Sequence, residues 1–565
     1  MGVRRAVEMA LDAPGKYQEP IFTFGPLIHN PQVLDLFKKK RISVINEIPR
    51  QGFGTVLIRA HGVPPDTKEA LSLTGFNVID ATCPHVIRVQ TIIRMHARNG
   101  YTSIIIGDQN HPEVTGLLGY TEQNGYVVSS LLDFERLPAF KKAIIVAQTT
   151  QNQDFFSRLK DRALKKYPHY KIFNTICNST GKRQMEVHRL SKEVDAIVVV
   201  GGKNSGNTQR LAEIARQTSK QTFHIETEAD LDLKALAAVR KIGITAGAST
   251  PNWIIKRVYR ALEIMPKRQY KGFYKVFFSL QRGLLLTNIF VALGAGCLCY
   301  AATLLQGLRQ FFPQVLISVF YVLSMHILNN LTGNASDRYN DPERADFYDR
   351  NKRFLVILAL LAGAIGLLAA MSMGLLPFLI LLTMSLTGLA YNLRVVPKFL
   401  AEKIPYQRIR DIPGSKTILI AIAWGIITST LPALAQTSRF TLNTIIVFCW
   451  TTGIVFIRTA FFDILDMQGD RIVGKETIPI LLGDKRAFSL LKAMLWIITI
   501  MMVLASLLHI IAGLGYFLIF CPVLIYILLV ANQKGYMLPG IRLEFLVESL
   551  FVLAGIIAFL WSLTN

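Results

Sequence analysis

A change of solvent partway along the chain constrains its fold more than any other feature. In the 565-residue sequence, apolar segments recur at about 284–305, 314–331, 354–371, 374–392, 417–435, 443–460, 488–508, 513–531 and 545–562. Each is roughly 18 to 22 residues long, enough to cross the hydrocarbon of a bilayer as a helix. Lipid leaves no water to satisfy exposed backbone groups, so a spanning segment of this kind is helical. The pattern predicts an all-α membrane domain of nine transmembrane helices over 284–565. Residues 1–268 instead mix charge and apolar residues as a soluble domain does. Between the two, Met265-Pro266-Lys267-Arg268-Gln269-Tyr270-Lys271 opens a basic, aromatic stretch, and 269–283 is expected to be a linker at the lipid interface.

The charge pattern orients this arrangement. Alternate loops, 332–353, 393–416, 461–487 and 532–544, hold most of the Lys and Arg, including Arg338, Arg344, Arg350, Lys352, Arg353, Arg394, Lys398, Lys403, Arg408, Arg410 and Lys416. The opposite loops add little beyond Arg309 and Arg439. Basic loops stay on the cytoplasmic side, so the expectation is a multi-pass protein of the cell (inner) membrane with its amino-terminal domain in the cytoplasm. Met1-Gly2-Val3-Arg4-Arg5-Ala6 has neither the apolar core nor the cleavage site of a signal peptide. Six cysteines without paired spacing fit a reducing compartment, and four of them (Cys297, Cys299, Cys449, Cys521) sit in apolar runs. The net charge of +24 admits nucleic acid, anionic lipid or an anionic substrate. No basic and aromatic nucleic-acid module is visible, which ranks phosphate and membrane partners above nucleic acid.

A repeated unit organises the first 268 residues: a short β-rich run, a small polar loop, then a helix. The runs are Thr55 to Ile58, Ser103 to Ile106, Ala143 to Val146, Ala196 to Val200 and Ile242 to Thr245. Continuous apolar strands alternating with helices predict parallel sheets covered on both faces, with the loops gathered at the strands' carboxyl ends. Those loops carry hydroxyls, amides, histidines and glycines, with Glu113 as their free carboxylate. Such a surface suits a diphosphate, because small residues let backbone N–H groups approach many acceptor oxygens. Two thiols join them, Cys83 in Asp80-Ala81-Thr82-Cys83-Pro84-His85 and Cys177 in Asn174-Thr175-Ile176-Cys177-Asn178-Ser179-Thr180.

Ile28-His29-Asn30-Pro31, Arg59-Ala60-His61-Gly62-Val63, Asp80 to Pro84, His111-Pro112-Glu113-Val114, Gln148-Thr149-Thr150, the Cys177 loop, Lys203-Asn204-Ser205-Gly206-Asn207 and Thr245 to Ser249 follow the order and spacing of a known family. Residues 1–265 resemble the LytB-type 4-hydroxy-3-methylbut-2-enyl diphosphate reductases of the methylerythritol phosphate isoprenoid pathway. The resemblance implies a three-lobed α/β fold around a [4Fe-4S] iron–sulfur cluster held by three cysteines, two of them Cys83 and Cys177. It implies that His29, His61, His111, Thr149, Ser205, Asn207 and Ser249 surround the substrate diphosphate, that Glu113 is the proton donor, and that a ferredoxin- or flavodoxin-like protein supplies electrons. The family's first cysteine belongs to a Gly-Phe-Cys-x-Gly-Val-x-Arg-Ala pattern. In register with Met1-Gly2-Val3-Arg4-Arg5-Ala6, that third ligand falls one residue before Met1, as a start site assigned too far downstream would give. A clusterless, diphosphate-binding module attached to an active transferase is the alternative.

Carboxylates concentrate in two of the cytoplasmic loops. One reads Asn334-Ala335-Ser336-Asp337-Arg338-Tyr339-Asn340-Asp341, the other Asp463-Ile464-Leu465-Asp466-Met467-Gln468-Gly469-Asp470. Spacings of three and four set each group on one helical face, and carboxylates so crowded call for a hard cation such as Mg²⁺. Residues 275–563 resemble the UbiA superfamily of intramembrane prenyltransferases, whose two Asp-rich motifs bind a prenyl diphosphate through Mg²⁺. The resemblance assigns magnesium–diphosphate binding to Asn334, Asp337, Asp341, Asp463, Asp466 and Asp470, with Asn334 where the family has a carboxylate. Tyr391, Arg394, Lys398 and Lys416 are the expected clamp on the leaving diphosphate. Together the expectations describe a bifunctional isoprenoid enzyme. A reductase would make isopentenyl and dimethylallyl diphosphate, and a transferase would move a prenyl chain to an acceptor that the sequence does not identify.

Overall fold

The computed structural model describes residues 2–28, 30–218, 220–265, 273–332, 339–391, 409, 412–437, 439–472, 477–537 and 539–564. Two units divide the chain, Met1–Arg268 and Gln269–Asn565.

Among the described residues of the first unit are eleven strands: β1 (Ile21–Phe24), β2 (Ile42–Ile45), β3 (Thr55–Ile58), β4 (Asn77–Asp80), β5 (Thr102–Ile106), β6 (Gly125–Val128), β7 (Ala143–Ala147), β8 (Lys171–Ile172), β9 (Ala196–Val200), β10 (Gln221–Ile225) and β11 (Ile242–Ala246). They form three sheets, ordered β2-β1-β3-β4, β6-β5-β7-β8 and β10-β9-β11, and every pairing is parallel. Of the five strands read from the sequence as continuous apolar runs, β11 is a partly exposed edge strand, while the other four, β3, β5, β7 and β9, are buried throughout and lie inside their sheets. Helices cover both faces there, so no residue needs to be polar. The edge strands β2, β6, β8 and β10 are partly exposed and lack that signature.

In the second unit seven described helices are long and apolar enough to cross a membrane, or eight if one bent pair counts as a single span. Not every expected span is a single straight helix among the described residues. The segment 284–305 is not one straight helix: Val276–Leu286 and Ile289–Leu305 meet at 77°. The break falls at Asn288, whose left-handed backbone (φ 59°) asparagine tolerates better than most residues. Its buried amide donates to Tyr348 Oη at 2.6 Å. Helix Phe273–Leu286 also occupies most of the stretch expected to be a linker. The apolar run at 374–392 forms Leu375–Ala390, a 16-residue helix. Neither expected cytoplasmic loop is simply a loop: Pro342–Arg350 is helical, and Leu442–Ile472 runs 31 residues, carrying Asp463, Asp466 and Asp470 within it.

The span Ser415–Thr437 contains a π-helical turn at Ile426–Thr430, which ends two residues before Pro432. Proline removes one helical N–H, and a single π turn is a common way to absorb such a defect. Thr428 and Ser429 hydroxyls donate back to the Trp424 and Gly425 carbonyls, while Ser318 and Gln306 from other helices reach the Ile427 and Ser429 carbonyls.

Candidate functional site

In the first unit a chain of contacts joins the loops at the strand ends. Cys83 follows β4 and begins helix Pro84–Ala97, and its N–H donates to the Ala60 carbonyl at 2.9 Å. Asp80 fixes that turn: Oδ1 accepts from Thr82 N–H at 2.9 Å and Oδ2 from Lys68 at 2.7 Å. Although burial works the other way, these partners hold the Asp80 carboxyl below its ordinary range. Next to Ala60, the His61 ring meets His111 edge to face, with centroids 5.3 Å apart. His111 caps helix Pro112–Leu118, its Nδ1 accepting the Glu113 N–H at 3.1 Å.

Glu113 is almost fully buried, at 2% exposure. Its two oxygens accept from the Thr149 N–H at 2.6 Å and the Thr149 hydroxyl at 2.9 Å. Desolvation pushes its carboxyl up to about 7, against the pull of the two Thr149 bonds and with a further push from Asp108. The Thr149 carbonyl in turn accepts the Cys177 N–H at 2.9 Å, and Cys177 begins helix Asn178–Glu193 with Sγ 3.1 Å from Ser179 Oγ. Both thiols thus sit at helix N-termini, where backbone N–H groups favour negative charge.

The third sheet closes the group. Ser205 begins helix Gly206–Gln217, and its Oγ lies 3.2 Å from Ser249 Oγ in the loop after β11. A Cβ at Gly206 would stand 3.3 Å from His111 Nε2, and Arg210 pairs with Asp108 at 2.6 Å, so this helix packs against the His111 loop. Both amide atoms of Asn207 are buried without a hydrogen-bond partner, a condition that folded chains rarely leave unless a ligand or water completes it. His29 lies outside the described residues.

In the second unit, helices Phe312–Thr332, Leu375–Ala390 and Ser415–Gly425 line a cavity of about 260 Å³. Tyr391, Lys416, Asn329 and Thr332 line one part of it and Trp424, Ile426 and Tyr321 another. The Tyr391 hydroxyl lies 3.2 Å from Ser415 Oγ. Thr417 donates to Asp463 Oδ2, and Asn340 donates to Asp470 Oδ1 at 3.2 Å. Asp341 caps helix Pro342–Arg350 by accepting the Arg344 N–H at 3.2 Å and lies 3.7 Å from the Arg344 side chain. Among the described residues no group of three or more His, Cys, Asp and Glu converges as a metal-ligand set. Asn334, Asp337, Arg394 and Lys398 lie outside the described residues. Sequence reasoning missed Thr417 and Asn340, which hold two of the aspartates, and His326, which lines the cavity. A lone imidazole in an apolar run was the available signal, since ionisable groups are expensive in lipid.

Parallel α/β sheets whose polar loops bring together a buried acid and two thiols, followed by a helical unit with several candidate membrane spans and a cavity, define a two-domain membrane protein. Residues 1–263 match the family model described as LytB protein, and residues 288–536 match that of the UbiA prenyltransferase family. The 4-hydroxy-3-methylbut-2-enyl diphosphate reductase of Aquifex aeolicus is 42% identical over 265 residues, covering 46% of this chain and 90% of that protein. A solved structure of (E)-4-hydroxy-3-methyl-but-2-enyl diphosphate reductase is 42% identical, covering 46% of this chain and 95% of its own, with a TM-score of 0.38. A UbiA homolog from Aeropyrum pernix K1 is 16% identical, covering 48% of this chain and 98% of its own, with a TM-score of 0.38. The chain belongs to the LytB family through its first domain and is a fusion of that LytB reductase domain with a UbiA prenyltransferase domain.

Proposed function

We propose that the first domain reductively removes the allylic hydroxyl of 4-hydroxy-3-methylbut-2-enyl diphosphate, giving isopentenyl and dimethylallyl diphosphate, and that the second transfers a prenyl chain from its diphosphate to an acceptor with Mg²⁺. The observation that carries the first half is the unbroken run of contacts from Cys83 through Ala60, His61, His111, Glu113 and Thr149 to Cys177. It ties the acid to both thiols, so one substrate can meet all of them. Cys83 and Cys177 would hold an iron–sulfur cluster, for which thiolates are the fitting ligands. Two thiolates are one short of the three that the family uses. A Cβ at Gly2 would collide with the Cys83 sulfur, so the start of helix Gly2–Asp12 packs against that thiol. When bound, the cluster supplies electrons from a ferredoxin- or flavodoxin-like donor and an iron that can polarise the hydroxyl.

The protein's own part is binding and proton delivery. His29, His61, His111, Thr149, Ser205, Asn207 and Ser249 hold the diphosphate, and the unpartnered Asn207 amide supports that reading. Glu113 keeps its proton up to about pH 7 and gives it to the departing hydroxyl oxygen. In the membrane domain Asp463, Asp466 and Asp470, with Asn334, Asp337 and Asp341, hold the magnesium–diphosphate. Tyr391, Arg394, Lys398 and Lys416 balance the charge released when the C–O bond breaks. Nine spans and a cytoplasmic reductase domain in the cell (inner) membrane complete the proposal.

The test uses full-length protein purified without oxygen. Visible iron–sulfur absorption with substrate-dependent oxidation of a reduced dye is expected, together with Mg²⁺-dependent prenyl transfer that Asp466→Asn abolishes. Colourless protein without dye oxidation refutes the reductase, and undiminished transfer in the variant refutes the magnesium site.

A further inference from the structure

The membrane cavity contains one group that the transferase reading leaves without a task. We propose that His326 is the base that takes the proton from the acceptor's attacking atom during prenyl transfer; this rests on the transferase reading above.

Three observations lead there. The first is position. His326 lies on helix Phe312–Thr332, two turns before Thr332, and its ring meets that of Trp424 with centroids 6.1 Å apart. At about 1.5 Å per residue, Trp424 stands roughly 12 Å along its helix from Lys416. His326 is thus at the level where the polar mouth, with Lys416 and the nearby Asp463, gives way to the apolar floor. A diphosphate held at the mouth puts its allylic carbon inward of the mouth. On the transferase reading, a prenyl chain that runs from the mouth into the apolar part of the cavity would pass His326, which lines it.

The second observation is chemical elimination among the described residues lining the cavity. Their titratable side chains are Tyr321, His326, Tyr391 and Lys416, with no carboxylate. Phenols and ammonium groups ordinarily hold their protons at neutral pH. Imidazole is the side chain whose neutral form accepts one there. The third is that His326 Nε2 is buried without a hydrogen-bond partner. A buried ring nitrogen left open in lipid is costly, and an acceptor bearing a hydroxyl or a reactive C–H would satisfy it.

The step balances. The allylic C1–O bond breaks and its electron pair leaves with the diphosphate. The acceptor's nucleophilic atom forms the new bond to C1, and its proton passes to Nε2, leaving an imidazolium to be discharged to solvent. The acceptor class is accordingly one whose attacking atom carries a proton, such as a hydroxyl or an electron-rich aromatic carbon.

The full chain reconstituted in vesicles is given radiolabelled geranylgeranyl diphosphate, Mg²⁺ and a lipid extract of the source membranes as acceptor pool. The readouts are labelled product and equilibrium binding of the diphosphate. His326→Gln is expected to lose product roughly a hundredfold or more, the usual worth of a positioned base, while binding stays within about twofold, as it does for sites that do not interact. His326→Ala is expected to regain part of the loss when free imidazole is added. Turnover in His326→Gln within about threefold of wild type overturns the proposal, because a lost base costs far more. Lost binding in both variants also overturns it, since His326 would then be holding the diphosphate or the fold. Wild type that binds but makes no labelled product counts instead against the transferase reading itself.

Discussion

Glu113 is the residue whose environment says most about chemistry. A carboxyl in the first turn of a helix would normally be ionised at neutral pH, and burial, helped by Asp108 and opposed by the Thr149 bonds, moves this one to about 7. Thr149 is well chosen to manage either state. Its N–H and hydroxyl both donate to the carboxylate, and the hydroxyl can rotate to accept once the carboxyl holds a proton. Reductase turnover is therefore expected to fall as pH rises through about 7, where the donor is lost. Thr149→Val removes a bond that favours the charged form, so the descending limb of the pH profile is expected to move to higher pH. Glu113→Gln should cost roughly a hundredfold or more in turnover with substrate binding retained. Stability follows the same sign: the folded value exceeds the ordinary one, so Glu113's contribution is intact below about 4.5 and lost as pH climbs through about 7. Thermal unfolding across that range should show the decline in wild type and a weaker one in Glu113→Gln. In the other domain, Gly469 is glycine because Asn340 fills the space a Cβ would need. On the reading that Asp470 serves Mg²⁺, Gly469→Ala would push Asn340 off Asp470 and raise the Mg²⁺ concentration for half-maximal transfer by roughly tenfold, the lower range for lost outer-sphere support. An unchanged Mg²⁺ requirement would mean that Asn340 does not orient the aspartate.

Elements were legible where one physical demand dominated. The interior strands β3, β5, β7 and β9 announce themselves because burial on both faces leaves only apolar residues. The edge strand β10, Gln221-Thr222-Phe223-His224-Ile225, needs no such uniformity and shows none. Membrane spans likewise stand out by hydropathy, but hydropathy is indifferent to direction. The sequence is apolar on both sides of Thr287-Asn288, so nothing in it marks the 77° break there. What makes the break is a local backbone state, together with a bond to Tyr348 from far along the chain. This gives a comparison of two variants. Asn288→Ala loses the bond and must also hold a left-handed conformation that costs an ordinary residue roughly 1–2 kcal/mol. Asn288→Gly loses the bond alone. Thermal unfolding in detergent should rank wild type above Asn288→Gly and Asn288→Ala lowest; equal losses would mean that the backbone state carries no cost here.

At the scale of the whole molecule, the sequence told more about which loops matter than about how they meet. Cys83, His61, His111, Glu113, Thr149 and Cys177 could be picked out as polar residues after strands. Their linkage through Ala60 and the Thr149 carbonyl depends on two separate sheets and has no local signature. His326 was passed over for the opposite reason: its signal, one imidazole in an apolar run, lay in a segment read only for its apolarity. Each unit builds its own interior: the clusters around Leu57, Ile104, Ile105, Val199 and Val56 draw only on the first unit, and that around Trp424 and Trp450 only on the second. Side chains that share no partners usually act additively, within about 0.5 kcal/mol or roughly twofold in rate. The two proposed activities should then be separable within one intact polypeptide. Asp466→Asn is expected to abolish Mg²⁺-dependent prenyl transfer while leaving dye oxidation by the reductase domain within that twofold margin. Glu113→Gln should do the reverse, and the double variant should show the product of the two losses. A reductase rate that falls severalfold in Asp466→Asn would establish an energetic coupling between the domains, and the fusion would then be an allosteric arrangement rather than two enzymes on one chain.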